Sequence, residues 1–333
     1  SAQLANPLMP DTRPLPPPTE LASAQADLNA AAERIWEAAS PACPELSIEV
    51  LPEVGSTNTE LMARGRRGEV SPTLLTAVAQ TAGRGRHGRV WQAAPGASLS
   101  FSLGLPLQLD AVPGGGSALS LAVGLALAES LDAMLAAAWA GAPGTTHTQA
   151  DHGPGADQAS VVGAQRAVVG LKWPNDLWLG GGKLGGVLIE ASPAPGLPEG
   201  QRWVVIGVGL NLGDVAQAPP GSAALRQAWP AHAAPLCSGQ VWSGLAPRLL
   251  ARVRAFAAEG FAPLLAAYQA RDVLAGQPVA LWTAPGQGPA DGHPPSQTGL
   301  AHGVSGDGAL LVHTEAGLQA WRSGEVSVRL QPH

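Results

Sequence analysis

The chain has 333 residues, a formal net charge of −6, and 45% hydrophobic against 13% charged residues. That balance gives a globular protein with enough chain for one large core or two smaller ones, and its acidic sum argues against nucleic-acid binding as the main business. Cys43 and Cys237 stand alone, without CxxC or Cys/His spacing, which argues against a disulfide framework or structural zinc and fits a reducing, cytoplasmic compartment.

Residues 1–20 are proline-rich and predict a disordered tail, and 21–40 (LASAQADLNAAAERIWEAAS) predict a helix. The N-terminus has no basic region followed by an apolar one, so no signal peptide is expected. Residues 1–45 have no room for a helix-turn-helix before the first strand, LSIEVLPEV (46–54). Ser56 or Thr57 is the expected N-cap of a helix opening at 56–62. Strands are predicted at 73–80 (TLLTAVAQ) and 98–107 (SLSFSLGLPL), with a glycine/arginine loop, TAGRGRHGRVW (81–91), between them.

The stretch 117–139 predicts a long apolar helix, which Glu129 and Asp132 mark as a buried core helix rather than a membrane span. Residues 141–165 have loop composition and read as a mobile insertion. Three strands are expected at 167–174, 183–192 and 202–212, then one or two helices within 245–271. From Asp272 onward short strands alternate with turns, which predicts a small all-β unit over 272–333. The expected division is a lead-in over 1–45, a main domain over 46–271 and this β unit.

Composition makes some residues more informative than others. Glycine (42) and proline (31) are abundant, as a GC-rich coding sequence would give, whereas there are only two lysines, Lys172 and Lys183, and five asparagines. Both lysines fall in LKWPNDLWLGGGKLGG (171–186), and Asn58, Asn175 and Asn211 each sit in a compact polar motif. In KWPND, Pro174 fixes the backbone, so Lys172, Asn175 and Asp176 are held on a rigid corner. A lysine, an amide and a carboxylate together suit an anionic ligand with Mg²⁺. In TAGRGRHGRVW, glycines free the backbone to approach a ligand and arginines offer planar donors for carboxylate or phosphate, although a solvated basic turn or an RNA-binding segment would have the same composition. GKLGGVLIE (182–190) fits either a flat ligand over Gly185 and Gly186 or close strand packing. IGVGLNL (206–212) brings Asn211 to a strand end, and GSTNTEL (55–61) sets three short polar side chains at a strand-to-helix junction.

In this order, STN, QTAGRGRHGRVW, KWPNDL, GKLGGVLIE, IGVGLNL and the C-terminal GALLV…W..GEVSVRL resemble the biotin–protein ligases (biotin–[acetyl-CoA-carboxylase] ligases) over residues 46–330. The resemblance implies an α+β catalytic domain with a mixed sheet, like the class II aminoacyl-tRNA synthetase cores, plus a small C-terminal SH3-like β barrel. It implies activation of biotin by ATP·Mg²⁺ to biotinyl-5′-AMP, then transfer to a lysine of a biotin carboxyl carrier protein, of acetyl-CoA carboxylase or another biotin-dependent carboxylase. No nucleic-acid or membrane partner is expected. Some family members carry an N-terminal DNA-binding domain, which residues 1–45 do not resemble, so a monofunctional ligase is expected. Family dimers pair sheet edges, and a homodimer stays open here. Two rivals stand beside this reading: a lipoate–protein ligase, and a non-catalytic nucleic-acid-binding protein using the Gly/Arg loop.

Roles follow by resemblance. Ser56, Thr57, Asn58 and Gln80 would line the pocket for the ureido ring of biotin, and Arg84, Gly85 and Arg86 belong to a loop closing over biotin and the phosphates. Arg89 would reach the nucleotide phosphates and Trp91 would pack near adenine. Lys183 would hold the biotin carboxylate and the reacting phosphate, and Lys172 would stabilise the phosphates. Asn175 and Asp176 would organise the phosphate–Mg²⁺ end, with Asp176 as metal ligand, and Asn211 the adenosine. Arg329 and Glu325 would support the ATP side, and Val187, Leu188 and Val208 the apolar tail of biotin. Catalysis would then rest on Lys183, Arg84, Arg86 and Lys172. The two lysines are expected on neighbouring strands joined by a turn, converging on one ligand.

Overall fold

The structure is a computed structural model that describes residues 17–141, 169–213, 218–283, 292–322 and 327–331. Residues 1–16, nearly all of the 141–165 insertion and Glu325 lie outside the described residues.

Helix α1 (Pro18–Ala39) buries Leu28, Ala31, Ile35 and Ala39, a helical stripe. Strand β1 (Ser47–Val54) leads into α2 (Thr57–Arg66), whose N-cap Ser56 accepts a hydrogen bond from the Thr59 amide at 3.4 Å. β2 (Thr73–Gln80) and β3 (Ser98–Leu107) follow, then α3 (Gly115–Ala140). The chain continues through β4 (Gly170–Lys172), β5 (Asp176–Leu179), β6 (Gly182–Ser192) and β7 (Arg202–Asn211). Helices α4 (Ser238–Glu259) and α5 (Leu265–Gln269) precede β8 (Pro278–Trp282), β9 (Gln297–Val304), β10 (Leu310–Thr314), β11 (Gly317–Trp321) and β12 (Ser327–Leu330).

Two sheets result. The first is mixed, in the order β1-β2-β3-β7-β6-β5-β4, with β1 parallel to β2 and the remaining pairs antiparallel. The second is antiparallel, in the order β11-β10-β9-β8-β12. The fold is thus α+β, with a mixed sheet and a C-terminal antiparallel sheet.

Strand alternation divides the first sheet into two faces. Leu99, Phe101 and Leu103 of β3 and Val204, Ile206, Val208 and Leu210 of β7 join α1, α3 and α4 in the main core. The long apolar α3 is buried there, as its sequence predicts. On the opposite face α2 covers only one end of the sheet, over a small second core of Leu61, Leu75, Trp203 and Val205. Trp203 donates its indole N–H to the Leu61 carbonyl at 2.8 Å. Gly65 and Gly104 flank that ring so closely that a Cβ on either would fall within 2.2 and 2.5 Å of it. The other end of this face is left open.

Three expectations need correction. The strand expected over 167–174 is confined to Gly170–Lys172, with the chain turning over residues 173–175, and residues 167 and 168 lie outside the described residues. DLWL, unassigned from sequence, forms β5, so Lys172 and Lys183 are not on neighbouring strands: β5 runs between theirs. Helix α4 begins at Ser238, ahead of the expected 245, where Asp27 of α1 accepts the Gly239 amide at 2.7 Å and so caps it.

Candidate active site

The open end of the sheet holds a cavity of about 350 Å³. Ser100 and Ser102 of β3 pair with Gly209 and Gly207 of β7, and Gly209 pairs with Gly186 of β6. This row of small residues forms the floor. Two side chains sit directly on it: a Cβ at Gly207 would come within 2.2 Å of Asn58 Oδ1, and one at Gly209 within 2.5 Å of the Trp91 ring. Trp91 donates its indole N–H to Ser100 Oγ at 3.2 Å.

One end of the cavity is lined by hydrogen-bonded hydroxyl and amide side chains. Ser56, Thr57 and Asn58 are buried at the start of α2. The Thr57 amide donates to Gln80 Oε1 at 3.0 Å, and the Thr57 and Ser102 hydroxyls lie 2.7 Å apart. Ser102 donates to Asn58 Oδ1 at 2.7 Å. Asn58 in turn donates to the Leu188 carbonyl at 3.3 Å and to Glu190 Oε2 at 3.0 Å.

The other end is cationic. Lys172 (β4), Asp176 and Trp178 (β5) and Lys183 (β6) share one face, and a β-bulge brings this about. Leu177 pairs with Gly185, but Trp178 pairs with Lys183, so Leu184 is the extra residue. Without it, alternation would turn Lys183 to the core; with it, Leu184 takes the core and Lys183 faces the cavity. Lys183 Nζ donates to Asp176 Oδ1 at 2.7 Å. Lys172 is only 6% exposed and its Nζ lies 5.2 Å from the centroid of the Trp178 ring. Burial lowers its pKa to about 8, with Arg329, Lys183 and Arg89 adding repulsion and Asp176 partly offsetting it. Burial likewise lowers the pKa of Arg86 and of Arg329.

The Gly/Arg loop also lines the cavity. Arg84 bridges to Val90 in a short antiparallel contact, and Gly83 accepts the Trp91 amide at 2.9 Å. A Cβ at Gly83 would lie 2.3 Å from the Trp91 carbonyl oxygen, so this closure needs glycine. Arg86 donates to Asn175 Oδ1 at 3.1 Å, while Asn175 donates to the Val187 carbonyl at 2.8 Å. Arg84 instead turns to the hydroxyl and amide end and meets Glu190 Oε1 at 3.3 Å. Arg329 of β12 reaches the cavity from the second sheet.

Every expected site residue among those described therefore borders one cavity: Ser56, Thr57, Asn58, Gln80, Arg84, Gly85, Arg86, Arg89, Trp91, Lys172, Asn175, Asp176, Lys183, Asn211 and Arg329. Asn211 spends its amide on the Lys183 and Ala223 carbonyls, at 3.4 and 3.0 Å. Val187, Leu188 and Val208 also border it, but Val187 and Val208 are members of the main core, leaving Leu188 on the cavity face.

Comparison with known proteins gives the family. Residues 51–211 match the model of the biotin/lipoate A/B protein ligase family, and 290–329 that of the biotin protein ligase C-terminal domain. The chain is 30% identical over 287 residues to the bifunctional ligase/repressor BirA of Escherichia coli, covering 85% of this chain and 74% of that one. It is 31% identical to a biotin–[acetyl-CoA-carboxylase] ligase of Paracoccus denitrificans, covering 83% and 98%. The chain belongs to the biotin protein ligase family. A match to the Mycobacterium tuberculosis biotin–[acetyl-CoA-carboxylase] ligase, 36% identical, spans 52% of this chain and half of that protein. The structure of the Aquifex aeolicus biotin protein ligase in complex with biotin and ATP has the same fold, with a TM-score of 0.60 at 24% identity over 86% of this chain and 99% of that one.

Two polar residues escaped the sequence reading of this ligase-family chain, Ser102 in the cavity lining and Glu190 behind Asn58. A signal existed for both. In SLSFSLG the serines recur every second residue, a polar face on a strand whose other face is core. Glu190 is the one acid in an apolar strand.

Proposed function

We propose that this protein is an ATP-dependent biotin–protein ligase, which activates biotin to biotinyl-5′-AMP and transfers it to one lysine of a biotin carboxyl carrier protein. The observation that carries this reading is the polarity of the cavity. An end lined by short hydroxyl and amide side chains, with its charges confined to the Arg84–Glu190 pair, suits a cyclic ureido head group, and a cationic end suits a carboxylate meeting a phosphate. The names of the curated relatives and the match to the biotin-specific C-terminal domain favour biotin over lipoate. The acidic balance disfavours the nucleic-acid-binding alternative. Residues 46–271 would be a catalytic domain of the class II aminoacyl-tRNA synthetase type, and 272–333 an SH3-like domain. Two unpaired cysteines suit the cytoplasm.

The chemistry needs no Ser, Cys or His nucleophile. A carboxylate oxygen of biotin attacks the α-phosphorus of ATP, pyrophosphate leaves, and the carrier lysine amine then attacks the acyl carbon and releases AMP. Catalysis is positioning plus stabilisation of charge that develops on the phosphate. Lys183 would hold the carboxylate and the reacting phosphate together. Lys172, Arg86 and Arg89 would take the phosphate charge, with Arg329 supporting them from the second sheet. Ser56, Thr57 and Gln80 would hold the ureido ring, with Asn58 behind them. Trp91 would pack near adenine and Asn211 would border the adenosine. Arg84 and Gly85 would belong to the lid that keeps water from the anhydride.

Mg²⁺ would neutralise phosphate charge beside Asp176. Among the described residues no group of three or more His, Cys, Asp or Glu could hold a metal alone. One carboxylate fits an ion that takes most of its ligands from phosphate and water.

Labelled biotin offered with a carrier domain, with and without ATP·Mg²⁺, tests the proposal. Covalent label on the carrier lysine only with ATP is the expected outcome. Label from lipoate and none from biotin would overturn it.

A further inference from the structure

Glu190 lies in the apolar run VLIEAS of β6, yet both of its carboxylate oxygens are engaged. Oε2 accepts from Asn58 Nδ2 at 3.0 Å and Oε1 from Arg84 Nη1 at 3.3 Å. Both partners are donors, so an ionised carboxylate serves both contacts where a carboxamide, with one acceptor oxygen, would serve one.

The hydrogen bonds beyond Asn58 have a direction. With both Asn58 amide protons given to Glu190 and the Leu188 carbonyl, Oδ1 faces Ser102 and must accept. Ser102 has one proton and spends it there. The 2.7 Å contact between the Ser102 and Thr57 hydroxyls is therefore donated by Thr57. Thr57 Oγ1 then has no second proton for Gln80 Oε1, 3.4 Å away, and that oxygen is held by the Thr57 amide instead. Thr57 and Gln80 both line the cavity, and two consequences follow: Thr57 Oγ1 keeps acceptor lone pairs, and Gln80 keeps its amide N–H₂, which lies beside Gly83. This pattern complements a group with an N–H donor beside a carbonyl acceptor. Gly207 lets the chain of bonds exist, since a Cβ there would occupy the place of Asn58 Oδ1.

We infer that Glu190 is a positioning residue that sets the donor–acceptor polarity of the head-group end through Asn58 and Ser102, and tethers the Gly/Arg loop to it through Arg84. The inference rests on the biotin ligase reading for the identity of the head group, but not for the tether.

The Glu190→Ala variant, which removes both acceptor oxygens, tests both halves. In biotin-dependent ATP–pyrophosphate exchange, its KM for biotin should rise about tenfold, the loss expected for one hydrogen bond to a charged group. KM for ATP should rise less than KM for biotin, because Lys172, Lys183 and Asp176 are untouched although the loop that carries Arg86 and Arg89 loosens. In the ligand-free protein, trypsin should cut after Arg84, Arg86 and Arg89 faster than in wild type. An unchanged biotin KM, or an equal rise in KM for ATP, would overturn the polarity role; wild-type cleavage rates would overturn the tether. Should Glu190→Ala not fold, Ser102→Ala replaces it in the kinetic arm, since it breaks the same chain between Asn58 and Thr57, with the same expected rise. If the wild-type protein exchanges no pyrophosphate in response to biotin, the functional reading fails while the trypsin comparison still judges the contact.

Discussion

Lys172 and Lys183 face the same cavity in different electrostatic states. Lys183 is partly exposed and has a carboxylate partner in Asp176. Lys172 is buried among cations with a pKa of about 8, so in the empty site it loses its proton as pH rises through that value. A bound triphosphate favours the charged form and has to bring the proton back. KM for ATP should therefore rise as pH passes about 8, while kcat at saturating ATP changes less. Lys172→Arg should weaken ATP at all pH values but abolish this inflection, because a guanidinium stays charged there. The same inflection in wild type and variant would assign it to another group. Lys183→Ala should lower the rate of biotinyl-AMP formation by ~10²–10³-fold, as loss of one donor to developing negative charge typically does. Its unfolding midpoint should stay near wild type, since the lysine is on the cavity surface; an unchanged rate would sink the role.

Elements explain what the sequence could and could not reveal. β2 and β3 were legible to the residue because their apolar patterns run uninterrupted between turn signals. β5 is four residues long with an indole on its cavity side, too short for a period to register. The bulge at Leu184 has no sequence signature, yet it decides which way Lys183 points, so the motif could be read while the geometry that makes it work could not. Two residues with polar partners in the site, Ser102 and Glu190, were hidden because a polar face on a strand reads as solvated unless one knows that α2 starts above it. That helix is positioned by the contact of Gly65 with Trp203. Gly65→Ala would push a Cβ to 2.2 Å from Trp203 Cδ1, and the overpacking should cost about 1–3 kcal/mol. Biotin KM should rise with it, because the other end of α2 carries Thr57 and Asn58. A thermal midpoint equal to wild type would mean that the indole can yield.

The two sheets behave as one body in this molecule, and the reason is where they touch. Val279, Leu281, Val304, Leu310 and Val312 of the second sheet belong to the same buried cluster as α3 and the first sheet. Leu171 of β4 exchanges backbone hydrogen bonds with the 271–273 segment that leads into β8. Trp173, in the KWPND corner itself, donates its indole N–H to the Gly308 carbonyl at 3.0 Å, and Gly114 at the start of α3 lies against the Asp307 carbonyl. The corner that presents Lys172 and Asn175 is thus buttressed by the turn between β9 and β10, while β12 sends Arg329 to the same cavity. Unfolding should accordingly be a single transition, with tryptophan fluorescence and far-ultraviolet circular dichroism coincident across a denaturant series. Trp173→Phe removes the donor and strands a buried carbonyl, which should lower stability by about 1–3 kcal/mol. Because the corner loosens with it, ATP affinity should fall more than biotin affinity, the reverse of the pattern expected for the Glu190 variant. Two resolved transitions in the wild-type protein, or a Trp173→Phe variant weakened equally for both ligands, would show instead that the second sheet is an attachment rather than part of the site's foundation.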